Sequence, residues 1–366
     1  MSPLTVYVSG HTNDTSRGIY QYEFDTETGV LTPKGLAAES KNPTFFAFHK
    51  SGQHLYAVNE VAEYKDLPTG YLSAYNVDKD TGKLTLANEQ PTDGEEPCHL
   101  ALDTIGGEYV LVANYSGGSV ASFPIISPGS PQSRLGEAVC VHRHANHHKA
   151  SGGIPDRQEK PHAHSVDIDP TAHKWMISMD LGCDLAIVYQ FDRRNGGKLA
   201  PHSTFQFPKG TGPRHLKFAP HNDGYCYVIS EFSNVIFMLE FNFLEGKFYE
   251  VQRINGLPDD FKGENLGSEI DISPDGKHLY ASMRGHDSIA MYTIDEYTGK
   301  LSLIGHQSSG GKHPRHFTID PKGRFLLVGN KDSNNITVFK IDQETGRLTE
   351  VHKAEHEQPT CIKFRP

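Results

Sequence analysis

No apolar run in this chain of 366 residues approaches the roughly 20 residues that a membrane span needs. Mean hydropathy is -0.51. The opening MSPLTVYVSG holds neither a basic stretch nor an apolar one, so no signal peptide is expected. Cysteine is scarce: Cys98, Cys140, Cys183, Cys226 and Cys361 are odd in number, scattered, and form no C-x-x-C pair. That excludes a disulfide framework and a zinc knuckle, and it fits a reducing, cytoplasmic location. A basic surplus is missing too, since 35 Lys and Arg face 45 Asp and Glu for a net charge of -10. Nucleic acid and acidic membranes are therefore poor general partners. An anionic ligand must be met by a local patch of cations. Trp175 is the single tryptophan and no G-H…W-D signature occurs, which excludes a WD40 scaffold.

What the chain does have is repetition. One unit opens with Pro or Gly, runs into a short alternating strand, turns, and enters a second strand. Its copies read PTFFAFHKSGQHLYAVNE, PCHLALDTIGGEYVLVANY, AHSVDIDPTAHKWMISMD, PRHLKFAPHNDGYCYVISE, GSEIDISPDGKHLYASMR and PRHFTIDPKGRFLLVGNK. Phe46, Leu100, Val166, Leu216, Ile270 and Phe317 occupy equivalent places about 45 to 65 residues apart, the spacing of propeller blades. A third strand follows in each unit, as in GYLSAYNV and SIAMYTI. A fourth follows a glycine turn, as in TGKLTL, GGKLAP, TGKLSL and TGRLTE. Glycine suits that turn because positive φ carries no Cβ penalty there. Four short strands per unit describe a blade.

The ends complete the count. QPTCIKFRP matches only a first strand, and LTVYVSG only a second, continued by GIYQYEF and TGVLTP. The expectation is an all-β, seven-bladed β-propeller of four-stranded antiparallel blades. Both termini close its composite blade, and residues 1–366 form one domain. Such closure removes exposed sheet edges.

In a blade of this kind the start of the first strand lies beside the end of the second, on one rim of the central channel. The first set is Thr44, Cys98, His164, Arg214, Ser268, Arg315 and Thr360. The second is His11, Glu60, Asn114, Asp180, Glu231, Arg284 and Lys331. Polar strand ends meet water in any sheet protein. Four cations in three consecutive blades (Arg214, Arg284, Arg315, Lys331) are harder to explain that way, and they suit a small anion. His164, Glu231, Arg214 and Arg284 form a candidate catalytic set. His164 or Glu231 would activate water, and the arginines would meet developing negative charge. His11, Glu60, Asn114, His162, Asp180, Arg315 and Lys331 are candidates for substrate binding.

The insertion VHRHANHHKASGGIPDRQEKPHAH gathers His142, His144, His147, His148, His162 and His164. Their spacing matches no common zinc motif, so a solvated loop over the rim, without a metal, is expected. A loop of this length is also where a lid or a substrate contact would sit.

RQEKPHAHSVDIDP, DLGCDLAIVYQF, GTGPRHLKFAP, ISEFSN, DISPDGKHLYASMRG and HPRHFTIDPKG carry a resemblance that spans essentially the whole chain. The sequence resembles the lactonase family of seven-bladed propellers. That family holds bacterial-type 6-phosphogluconolactonases and the fungal 3-carboxy-cis,cis-muconate lactonizing enzyme. The resemblance implies an active site at His164, Arg214, Glu231 and Arg284, without metal or organic cofactor. It implies hydrolysis of a small anionic sugar lactone, 6-phosphogluconolactone first, by a monomer or homodimer. A carboxy-muconate cycloisomerase and a non-catalytic binding propeller remain the alternatives.

Overall fold

The computed structural model describes residues 3–103, 105–147, 153–220 and 224–366. They form seven antiparallel sheets, numbered here as blades 1 to 7. The innermost strands are Pro359–Phe364, Phe45–Phe48, Pro97–Leu102, Ala163–Ile168, Pro213–Phe218, Leu266–Ile272 and Pro314–Ile319. Each contacts the next, and the last contacts the first, so they line a closed ring. Blade 1 is composite: Leu4–Gly10 pairs with Pro359–Phe364 in the register Val6 to Phe364, Val8 to Ile362 and Ser9 to Cys361. Blade 3 departs from the plain four-strand pattern. Its outer strand is broken into Arg134–Leu135 and Cys140–Arg143, both paired with Ser119–Ile126.

The glycine turns behave as the repeat implies. Asp78, Asp295 and Asp342 each accept amide hydrogens two and three residues on, and the glycines that follow (Gly82, Gly299, Gly346) sit at φ near +70°. These turns also weld neighbouring blades. Tyr7, Tyr227 and Tyr280 donate their hydroxyls to the carbonyls of Gly82, Gly299 and Gly346 in the next blade, at 2.5, 2.6 and 2.9 Å. Buried aromatic and branched side chains fill the wedges between sheets.

Two repeated irregularities prepare the channel mouth. Asn42, Glu96, Gly212, His313 and Gln358 each precede a proline at the entry to an innermost strand, and all have positive φ. Only the glycine does so without strain. Just beyond, the ladder skips. The register passes from Pro97 to His99, Ala163 to Ser165, Pro213 to His215, Gly267 to Ile270, Pro314 to His316 and Pro359 to Cys361. Each skip is a β-bulge, which releases a residue from pairing and re-aims its side chain. The released residues include Cys98, His164, Arg214, Ser268, Arg315 and Thr360, six of the seven that the repeat places at the start of strand one.

Candidate active site

The bulged residues divide into two kinds. The small ones lace the ring: Cys98 lies 3.3 Å from the carbonyl of His164, Ser268 donates to that of Arg315 at 2.7 Å, and Thr360 to that of Thr44 at 2.9 Å. Each tie runs to the same position one blade on. The large ones, His164, Arg214 and Arg315, are left to form the floor of the mouth.

Glu231 stands at the centre of the charge pattern, with its side chain 3% exposed. Its Oε2 accepts from Arg214 Nε at 3.1 Å and lies 2.9 Å from Arg284 Nη2. Its Oε1 accepts from Arg157 Nη2 at 2.7 Å. Burial works against its charge, yet Arg284, Arg214 and Arg157 outweigh that cost and hold the carboxyl at about 2. Arg214 Nη1 also donates to the carbonyl of Ser268 at 2.9 Å, and Arg284 Nη2 to that of Gly267 at 2.7 Å. Arg284 Nε is buried without a hydrogen-bond partner, as is His164 Nδ1. Burial first, then Arg214, keeps the His164 imidazole neutral far below its ordinary range.

Beneath this floor lies a second layer. His215 Nδ1 meets Glu269 Oε1 at 3.0 Å, and Arg214 Nη1 reaches His215 Nε2 at 3.2 Å. A neutral His215 that donates to Glu269 can therefore accept from Arg214 and fix its angle. The backbone amides of Val166 and Ile362 donate to Nδ1 of His99 and His316, both at 3.3 Å. Phe45 packs on His99 with ring centroids 4.2 Å apart. These buried side chains fill the channel beneath His164 and Arg214.

The other candidates separate by register. Pro97 pairs with Asn114 and Ala163 with Asp180, the level that Ser230 and Asn330 occupy in blades 5 and 7. Asn114 and Asp180 thus lie one residue inside the level of Glu231 and Lys331, and both are fully buried. Asn114 Nδ2 donates to Ser119 Oγ and the carbonyl of Thr92. Asp180 binds His144 Nδ1 at 2.6 Å and accepts from the amides of His162 and Cys183. They brace the mouth from behind and do not face it.

The residue that matches Glu231 in blade 3 is Tyr115, which repeat alignment misses by one position. His162 stacks on its ring at 4.4 Å. His11, Glu60, Arg315 and Lys331 share one neighbourhood, in which burial, ahead of these charges, lowers the His11 pKa. Lys331 lies 3.5 Å from Asp332. Arg315 forms no ion pair among the described residues.

Arg157 is the second residue that repeat analysis misses, because it belongs to no blade. Its Nη2 reaches the Tyr115 hydroxyl at 3.0 Å, and its guanidinium lies 5.1 Å over Phe232. The loop beside it is anchored by the buried Gln158, which donates to Asp184 Oδ1 and the carbonyl of Leu181, both at 2.8 Å. The histidines of this insertion take separate polar partners: His142 binds the carbonyl of Leu199, His144 binds Asp180 and packs edge-on against His147, and His162 stacks on Tyr115. His148 lies outside the described residues. Among the described residues, no group of three or more His, Cys, Asp or Glu side chains is placed to hold a metal ion.

Comparison with known proteins places the fold in a family. The profile of the family described as "Lactonase, 7-bladed beta-propeller" matches residues 5–364. The 6-phosphogluconolactonase of Bacillus subtilis is 38% identical over 317 residues, 87% of this chain and 85% of that protein. The periplasmic gluconolactonase of Pseudomonas aeruginosa superposes with a TM-score of 0.90 at 28% identity, covering 100% of this chain and 99% of that one. A protein from Lactobacillus plantarum superposes with a TM-score of 0.88 at 29% identity over 99% of both chains.

Proposed function

This chain belongs to the seven-bladed β-propeller lactonase family, and on that premise we propose that its mouth hydrolyses a sugar lactone, 6-phosphogluconolactone, to 6-phosphogluconate. The observation that carries the mechanism is a buried His164 Nδ1 with no hydrogen-bond partner, in the field of Arg214 and Arg284, while Glu231 is committed to three arginines. Glu231 is fully bonded to three arginines, whereas His164 Nδ1 has no partner, and negative charge developing on the substrate between the arginines would offset the repulsion that keeps the imidazole neutral in the free enzyme. The imidazole is the uncommitted acceptor.

In this reading water adds to the lactone carbonyl while His164 removes its proton. The oxyanion that develops meets Arg214 and Arg284, pre-set by Glu231 and by two backbone carbonyls. When the carbon–ring-oxygen bond breaks, the leaving oxygen takes the proton back from His164. Lactone and water have then become the hydroxy acid. Arg315 at the floor, with Lys331, His11 and Glu60 on the wall, holds the sugar. Glu60 and Glu96 form no ion pair among the described residues. Such carboxylates accept sugar hydroxyls, which a muconate lacks, and this favours the sugar lactone.

The test is hydrolysis of 6-phosphogluconolactone at neutral pH, corrected for spontaneous opening, beside a muconate cyclisation assay. Turnover of the muconate alone would reverse the assignment. We hold further that the enzyme is cytoplasmic, a monomer or homodimer, and independent of metal and cofactor. Activity should survive EDTA; loss restored by a divalent cation would show a metal role for the histidine-rich loop. All five cysteines are free thiols, in keeping with a reducing compartment.

A further inference from the structure

Three arginines converge on Glu231, and they are not held alike. Arg214 and Arg284 are 3% and 5% exposed, and each is also tied to a backbone carbonyl. Arg157 is 39% exposed. Its partners are one carboxylate oxygen, a tyrosine hydroxyl and the face of Phe232. Its own backbone is fixed, since its amide donates to the carbonyl of Ile154 at 3.1 Å and Gln158 pins the next residue. The side chain can therefore turn without the loop moving.

We propose that Arg157 is the specificity-determining residue for the substrate's phosphate: it rests on Glu231 in the free enzyme and exchanges that carboxylate for the phosphate of the bound lactone. This rests on the lactonase reading above. The lactone carbon must reach His164 and Arg214 at the floor, so the phosphate, carried at the far end of the sugar, stays at the outer level. Arg157 enters at that level, from the loop. A phosphate monoester near neutral pH carries a charge of about -1.5 to -2 and three strong acceptor oxygens. It matches the guanidinium fork better than a single carboxylate oxygen does. A neutral sugar lactone offers nothing to draw Arg157 away. Once Arg157 leaves, Glu231 Oε1 is open to accept a substrate hydroxyl.

The experiment compares kcat/KM for glucono-δ-lactone with and without the 6-phosphate, in wild type, Arg157→Ala, Arg157→Lys and Arg315→Ala. Arg157→Ala should reduce the preference for the phosphorylated lactone by about 10- to 100-fold, the worth of hydrogen bonds to a charged group. Arg157→Lys, which keeps the charge without the fork, should reduce it less. Arg315→Ala should lower both lactones together. An equal fall on both lactones in Arg157→Ala would overturn the proposal. So would a preference that collapses in Arg315→Ala and survives in Arg157→Ala. Calorimetry with the products separates this from the lactonase reading. Wild type should bind 6-phosphogluconate more tightly than gluconate, and Arg157→Ala should lose the difference. If wild type hydrolyses neither lactone, the catalytic reading fails. The binding difference then still decides the role of Arg157, which equal affinities in wild type and variant would remove.

Discussion

At the scale of single residues, the site is a set of buried charges whose costs and compensations can be read one by one. Arg284 spends one hydrogen bond on Gly267 and one contact on Glu231, and its Nε remains unpartnered and buried. A donor held in reserve at that place is suited to charge that appears only during reaction. Arg284→Ala should therefore lower kcat by about 10²–10³. Lys198→Ala, at the exposed start of the outer strand of blade 4, should leave it near wild type. Steady-state kinetics on variants shown folded by circular dichroism decide this. Near-normal turnover in folded Arg284→Ala would move the active site off this mouth.

The same burial sets an acid limit on stability. His99, His164, His215 and His316 are all held neutral well below 6.5 by burial, with Arg214, Lys363 and neighbouring imidazoles adding to it and Glu269 opposing it at His99 and His316. In the unfolded chain each takes a proton near pH 6.5. Below that pH the unfolded state binds more protons at these four positions, so stability falls as pH falls, and the buried Asp167 carboxyl, pushed up to about 8, opposes this as one group against four. Glu231, depressed to about 2, adds a further loss as pH drops below about 4.5. Urea midpoints should decline from pH 6.5 to 5; a flat profile would mean that these imidazoles are charged in the fold.

At the scale of the strand, legibility depended on whether a feature repeats. The alternating strands, the glycine turns and the level of His164, Arg214 and Glu231 recur from blade to blade, so aligned copies reveal them. The bulge is what makes six residues at the start of strand one comparable, and no sequence pattern announces it. Nor does alignment fix the end of strand two to one residue, where a slip of one exchanges channel for interior. This is why Asn114 and Asp180 read as rim residues while Tyr115 went unseen. Arg157 was illegible for a different reason: it lies in an insertion with no counterpart to align.

The register has a direct consequence. Asn114→Ala removes the donor to Ser119 and Thr92 in a fully buried place. It should cost about 1–3 kcal/mol of stability, with turnover per folded molecule retained. Tyr115→Phe should do the reverse, keeping stability while changing kcat/KM through the lost contact with Arg157. Chemical denaturation and kinetics on both variants separate the two. Lost turnover in folded Asn114→Ala would place that side chain at the mouth.

At the scale of the whole molecule, everything at the mouth depends on ring closure. His164, Arg214, Arg284 and Arg315 come from four blades, and their spacing is set by the circumference that the innermost strands define. One of those strands, Pro359–Phe364, belongs to a sheet whose other members come from the start of the chain. It also touches its neighbours on both sides, with Thr360 donating to the carbonyl of Thr44 and Ile362 donating to His316. Removing it would strip Leu4–Gly10 of its inner partner and expose an unpaired strand edge. We propose that the chain folds as one cooperative unit closed by this strand. A chain ending at Gln358 should lose the single sharp unfolding transition, bind a hydrophobic dye and lose activity. A circular permutant should not. Its original ends, adjacent because the amide of Arg365 donates to the carbonyl of Thr5, would be joined by a short glycine linker, and new ends opened beside the exposed Tyr297. That change keeps every innermost strand in the ring and merely moves the break to a turn between outer strands, so one transition and turnover should both persist. If the truncated chain melts like the full one and keeps its activity, closure is not what sets the geometry of the mouth, and the six other blades must hold their own spacing.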